Sequence, residues 1–102
     1  MRSIPLTISD IQRQAWETAE DKGFHDGRSF AEACALFHSE ISEALEAWRN
    51  ERGNEVIAEE LADTIIRIAD TAHGMGMNLE NALRRKMRTN ANRPFRHGGK
   101  RL

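Results

Sequence analysis

Four acidic side chains stand in two matched pairs, Glu40 with Glu43 in HSEISE and Glu60 with Asp63 in EELADT. On a helix, positions three apart differ by about 60° around the axis and by one turn along it, so each pair projects together. Each also borders an apolar stripe: Phe37, Ile41, Ala44, Leu45 and Trp48 beside Glu40, and Ile57, Leu61, Thr64, Ile65 and Ile68 beside Glu60. Packing the two stripes against each other would bring four acids into one partly enclosed space. Without a cation, such carboxylates repel and raise one another's pKa. Hard divalent ions such as Mg²⁺ or Mn²⁺ prefer oxygen ligands of this kind. A single E-x-x-E pair is usually a solvated helix face. Two pairs at matching edges of consecutive helices point instead to a metal cage.

A second set of residues follows in KMRTNANRP, where Lys86, Asn90 and Arg93 are spaced i, i+4, i+7. On one helix they fall on one face. An ammonium, an amide and a guanidinium in line can bind successive phosphate oxygens, the guanidinium bidentately. The plainer reading is a solvated helix whose basic last turn suits the helix dipole.

Taken together, the E-x-x-E, the sixteen-residue spacer, the E-x-x-D and the downstream K-x-x-x-N-x-x-R-P resemble the MazG-like all-α nucleoside triphosphate pyrophosphohydrolases over residues 30–94. The resemblance implies a Mg²⁺-dependent enzyme, with Mn²⁺ able to substitute, that cuts a nucleoside triphosphate between the α and β phosphates to give a monophosphate and pyrophosphate. It implies that Glu40, Glu43, Glu60 and Asp63 are the metal ligands and catalytic acids, and that Lys86, Asn90 and Arg93 hold phosphates. Metal-assisted in-line attack by water requires no nucleophilic Ser or Cys. Many relatives carry a further Glu immediately before the first motif; Ser39 stands there in this chain, so either metal-bound hydroxide suffices or another acid such as Glu59 or Glu46 contributes. The resemblance also implies a four-helix fold assembled as a homodimer or as a tetramer built from two dimers, with the base against the first helix. Trp16 is the stacking candidate, with Ile11, Gln12 and Gln14 as neighbours, and core packing is its alternative role. A purine deoxynucleotide such as dGTP is the expected substrate, since compact single-domain members of this kind occur in bacteriophages.

The elements that must carry these residues read as helices throughout. Breakers fall at Gly23, Gly27, Gly53, Gly74, Gly76, Pro94, Gly98 and Gly99, and the segments between are long and periodic. Thr7 with Asp10 predicts a cap for a first helix over 8–22, with Gly23 as its stop. Ser29 with Glu32 fits a capping box opening a helix to Glu51, ended by Gly53. Asn54 is expected to cap a third helix over 55–73, and Asn78 a fourth that runs to about Asn92 before Pro94. No segment alternates like a strand. The fold class is therefore all-α, one domain over 1–102 with a basic tail at 95–102.

Charge is distributed unevenly along the chain. Residues 84–102 hold eight Lys or Arg and no acid, while residues 1–83 hold seven basic against sixteen acidic side chains, a balance of −9. The leading rival function, a helical nucleic-acid-binding protein, would use this basic segment on phosphates in a salt-dependent way. That rival leaves the paired acids without a role. A carboxylate-bridged di-iron bundle would need a Glu-x-x-His on each of two helices, and Asp70 with His73 is one imperfect copy; His25-Asp26 reads as a loop pair. Trp48, Met75 and Met77 are placed either at a subunit interface or in the core. No apolar run reaches the length of a membrane span, the start MRSIPLTISD lacks a signal-like apolar core, and Cys34 is the single cysteine. A reducing, cytoplasmic setting is the expectation.

Overall fold

A computed structural model describes residues 6–25 and 27–95. The described residues form four helices and no strand: α1 (Ile8–Asp21), α2 (Phe30–Arg49), α3 (Asn54–Gly74) and α4 (Leu79–Ala91). The chain is all-α, and no helix among the described residues is long and apolar enough to cross a membrane. Asp26 and most of the basic tail, including Arg96, Lys100 and Arg101, lie outside the described residues.

Three of the four helices start where the capping chemistry predicts. Thr7 Oγ1 accepts the Asp10 N–H at 3.1 Å while the Asp10 carboxylate accepts the Thr7 N–H at 3.2 Å, and Ser29 and Glu32 form the same reciprocal pair at the head of α2. These bonds satisfy backbone donors that a helix start leaves unpaired. They also hold the Asp10 and Glu32 carboxyls below their ordinary pKa, chiefly through the backbone N–H of Thr7 and Ser29. Asn78 caps α4 through the Asn81 N–H.

Two boundaries differ from expectation. Helix α2 stops at Arg49 rather than Glu51, because Glu51 takes a left-handed conformation (φ 52°) and lets the Arg52 N–H reach back to the Ala47 carbonyl at 2.9 Å. That closing pattern recurs after α1 and α3, where glycines hold the left-handed position. Gly53, with φ 95°, is the N-cap of α3, so Asn54 is the first residue inside the helix and makes no side-chain cap.

Helix α3 is central. Helices α1 and α2 pack along it on two sides without close backbone approach to each other, and α4 meets only α1 and α3. In the single chain the four helices thus form an open layer, with α4 at its end. Gln12, almost fully buried, ties α1 to the α3–α4 turn by donating to the Met77 carbonyl at 2.8 Å and accepting from the Leu79 N–H at 3.1 Å. Glu80 adds a second tie by accepting the Ser9 N–H at 3.0 Å.

The helices meet through small residues. Among the described residues every buried apolar one is an alanine, namely Ala19, Ala33, Ala44, Ala47, Ala69 and Ala72, and the remaining buried residues are Gln12, Glu40 and Thr64. The large apolar stripes do not pack against each other as the periodicity suggested. Ile41, Leu45 and Trp48 each follow a buried residue of α2 by one position, and Ile65 follows buried Thr64 in the same way. One position is a rotation of about 100°, and in two antiparallel helices that rotation turns both stripes to one side of the hairpin. Ile41, Leu45, Trp48, Leu61, Ile65 and Ile68 are accordingly exposed, Trp48 at 66%. Glu43 and Asp63 precede Ala44 and Thr64 by one position and turn to the opposite side.

Candidate functional site

On that opposite side α3 forms the floor of a groove of about 670 Å³. Its walls are Ile11, Gln14, Ala15, Thr18 and Ala19 of α1 and Glu40 and Glu43 of α2. The floor contributes Asp63, Ile66, Arg67 and Asp70, and Phe24 and Arg28 come from the α1–α2 loop. A cleft of this size suits a small organic ligand, and it joins an apolar wall to a charged floor.

The acids converge where α2 crosses α3. Oxygen atoms of Glu40, Glu60 and Asp63 all lie within 4.8 Å of one another, with Glu40 buried, Glu60 half-buried and Asp63 exposed. Desolvation between the helices raises the Glu60 pKa, and Glu43 raises it further through a shared carboxyl hydrogen bond and its charge, with Asp63 and Glu40 adding repulsion. The tetrad of the sequence reading is thus a close triad with Glu43 against Glu60. Oxygens in neighbouring positions on one octahedral Mg²⁺ stand about 3 Å apart at the ~2.1 Å bond length. A bound ion would therefore draw the three carboxylates inward, and Asp63 is the exposed side chain of the three. An all-oxygen, acidic donor set fits a hard divalent ion and excludes a soft-metal site.

One of the three carboxylates already has a cation. Arg67 Nε–H donates to Glu40 Oε1 at 2.6 Å across the α2–α3 seam, joining positions 27 apart in sequence. The Glu40 side chain is 11% exposed and that of Arg67 is 42% exposed. A carboxylate buried this deeply requires such a partner. Among the described residues, neither Glu60 nor Asp63 has an ion-pair partner.

The other expected residues fall elsewhere. Lys86 and Asn90 are exposed on α4, a helix with no buried residue, and do not line the groove of their own chain. Arg93 lies two residues beyond the end of α4, so it leaves the helical face on which the i, i+7 spacing placed it. Trp16 is not in the acidic groove. Its ring stacks on His25 at 5.1 Å, tilts against His73 at 5.7 Å and covers Gly74, where an added Cβ would sit 3.4 Å from the indole nitrogen. It lines an adjoining cavity of about 340 Å³. The Gln12 amide is consumed by the α3–α4 turn, whereas Ile11 and Gln14 do reach the groove.

The groove's aromatic is Phe24 and its cations are Arg28 and Arg67, none of which stood out in the sequence. Phe24 and Arg28 belong to a glycine-bounded loop without periodicity, and Arg67 reads as a polar position of a periodic helix. The loop is fastened by His25, which bonds Glu20 of α1 at 2.6 Å and Asp70 of α3 at 2.7 Å. Carboxylates only accept when ionised, so both ring nitrogens must carry protons for both bonds to form. The His25 pKa is raised, chiefly by the Glu20 hydrogen bond; burial opposes this, and the Asp70 hydrogen bond and charge add to it.

No known family model, curated protein or solved structure matches the chain.

Proposed function

We propose that the chain is a nucleoside triphosphate pyrophosphohydrolase of the MazG-like kind, using Mg²⁺ or Mn²⁺ to cut between the α and β phosphates. The observation that carries the reading is the convergence of Glu40, Glu60 and Asp63 within 4.8 Å, two of which, Glu40 and Asp63, line a groove with an apolar wall. When bound, a divalent ion neutralises phosphate charge and lowers the pKa of a water to give a hydroxide-like nucleophile. Glu40, Glu60, Asp63 and the adjoining Glu43 are the ligands to hold it.

Ile11, Ala15 and Phe24 give the base an apolar bed, and Gln14 supplies a donor and an acceptor for its edge. A purine deoxynucleotide such as dGTP is the substrate we assign. Lys86, Asn90 and Arg93 are assigned to phosphates in the groove of a neighbouring copy, because they do not reach their own. The exposed stripe of Ile41, Leu45, Trp48, Leu61, Ile65 and Ile68 supports a homodimer or a dimer of dimers.

The exposed basic face of α4 favours one second reading, binding of a nucleic acid. A product assay separates them: protein, Mg²⁺ and each common NTP and dNTP in turn, resolving monophosphate, pyrophosphate, diphosphate and phosphate. Monophosphate with pyrophosphate is expected. Absence of turnover with either metal, together with salt-sensitive binding of an oligonucleotide, would replace the enzyme with the binder.

A further inference from the structure

We propose that Arg67 competes with a divalent cation for Glu40 and passes to the phosphates of the ligand when metal binds, coupling metal and anion binding in one groove. The inference rests on the metal reading of the acidic triad and assigns the groove an anion-binding residue of its own.

Three observations lead to it. First, the contact is selective, since Arg67 pairs with Glu40 alone of the three clustered acids, at 2.6 Å. Second, the two partners differ in freedom. Glu40 is fixed in the α2–α3 seam, while the Arg67 side chain is 42% exposed and lines the groove. The pair uses one of the five N–H donors of a guanidinium, and planar groups of this kind bind phosphate bidentately. Third, the electrostatics favour an exchange. A divalent ion on Glu40 would compete with Arg67 for the charge of one carboxylate and place a second positive charge beside the guanidinium. A ligand phosphate brought alongside then offers Arg67 the negative charge that Glu40 no longer supplies.

Linkage makes the consequence specific. Removing Arg67 should strengthen metal binding, because a competitor is lost, and weaken anion binding, because a donor is lost. A purely structural role would weaken both or neither. Coupling between sites is reciprocal and typically about 5- to 150-fold.

The experiment has two arms on the full chain, with far-UV circular dichroism to check that each variant is folded. In the first, Mn²⁺ alone is titrated and free Mn²⁺ is followed by electron paramagnetic resonance. Arg67→Met should bind Mn²⁺ about tenfold more tightly than the wild type, with Arg67→Lys between them. In the second, pyrophosphate is titrated calorimetrically with chelator present and no metal. Glu40→Gln, which frees the guanidinium, should bind it at least about fivefold more tightly than the wild type, and the double variant Glu40→Gln/Arg67→Met should lose that gain. Equal or weaker Mn²⁺ binding by Arg67→Met, or a pyrophosphate gain that survives without Arg67, overturns the proposal. Mn²⁺ binding to none of the proteins overturns the metal reading beneath it, and the second arm still decides where the free guanidinium goes.

Discussion

The two faces of the α2–α3 hairpin are built from the same turns of the same helices and differ by a rotation of about 200°. One face carries Glu43, Asp63 and Arg67 and opens on the groove; the other carries Ile41, Leu45, Trp48, Leu61, Ile65 and Ile68 and is exposed. Between them runs a seam of Ala44, Ala47, Thr64 and the buried Glu40. Small seam residues let α2 and α3 approach closely, which sets the acids of one helix beside those of the other. The same seam leaves the large side chains only partly covered among the described residues. A site on one face and an uncovered apolar surface on the other are therefore consequences of one packing choice.

The sharpest way to break this contrast is to neutralise the charged face. Asp63→Asn and Glu60→Gln should each lower turnover by about 10²-fold or more, as loss of an electrostatic anchor does, while leaving the helical circular dichroism signal unchanged. Activity near the wild-type level in both would remove the acids from the mechanism. The apolar face is tested next by Ile65→Lys, which puts a charge at the middle of the stripe. Sedimentation should shift toward a single chain and the melting temperature should fall by several degrees; an unchanged sedimentation profile would show that this face is not the interface.

Smaller effects probe what holds the groove's walls. Gln12→Ala removes both bonds to the α3–α4 turn and should cost about 1–3 kcal/mol by urea denaturation, since the Leu79 N–H and Met77 carbonyl lose their partner. Glu51→Gly should do the reverse and stabilise by about 1 kcal/mol, because a non-glycine residue now holds the left-handed closing position after α2. A destabilised Glu51→Gly variant would mean that the Glu51 side chain outweighs its backbone strain.

The pH dependence separates the groove from its loop. Glu60 has a pKa raised above 4.5, so the stability linked to its proton is present below that value and is lost as pH rises through the raised one. Mn²⁺ should offset the loss, giving a rise in melting temperature at neutral pH that shrinks as the solution is acidified. His25 also has a raised pKa, above 6.5. Its contribution is fully present below about pH 6.5 and fades as pH rises through the folded value. His25→Gln should flatten that decline in a stability profile across neutral pH. A decline of the same size in His25→Gln would assign it to another group.

The helices and their starts were legible because capping residues act locally: Thr7 with Asp10, Ser29 with Glu32 and Asn78 each declare a helix within four residues. The acids were legible for the same reason, since three-residue spacing fixes a common edge whatever the tertiary structure. What the sequence did not disclose depends on distance along the chain. Glu40 meets Arg67 across 27 positions, and Gln12 meets Leu79 across 67. No local pattern marks either pair. Trp16 illustrates the limit from the other side, since an aromatic on an amphipathic helix is equally suited to a base and to a histidine, and the loop that brings His25 to it has no periodicity. The stripes were read correctly as faces but assigned to each other, because periodicity identifies an apolar face without naming its partner.

The most direct measurement is anomalous scattering from a crystal grown with Mn²⁺. A manganese peak is expected between Glu40, Glu60 and Asp63, with the Arg67 guanidinium withdrawn from Glu40. A crystal saturated with Mn²⁺ that shows no peak there, with Arg67 still on Glu40, would contradict it.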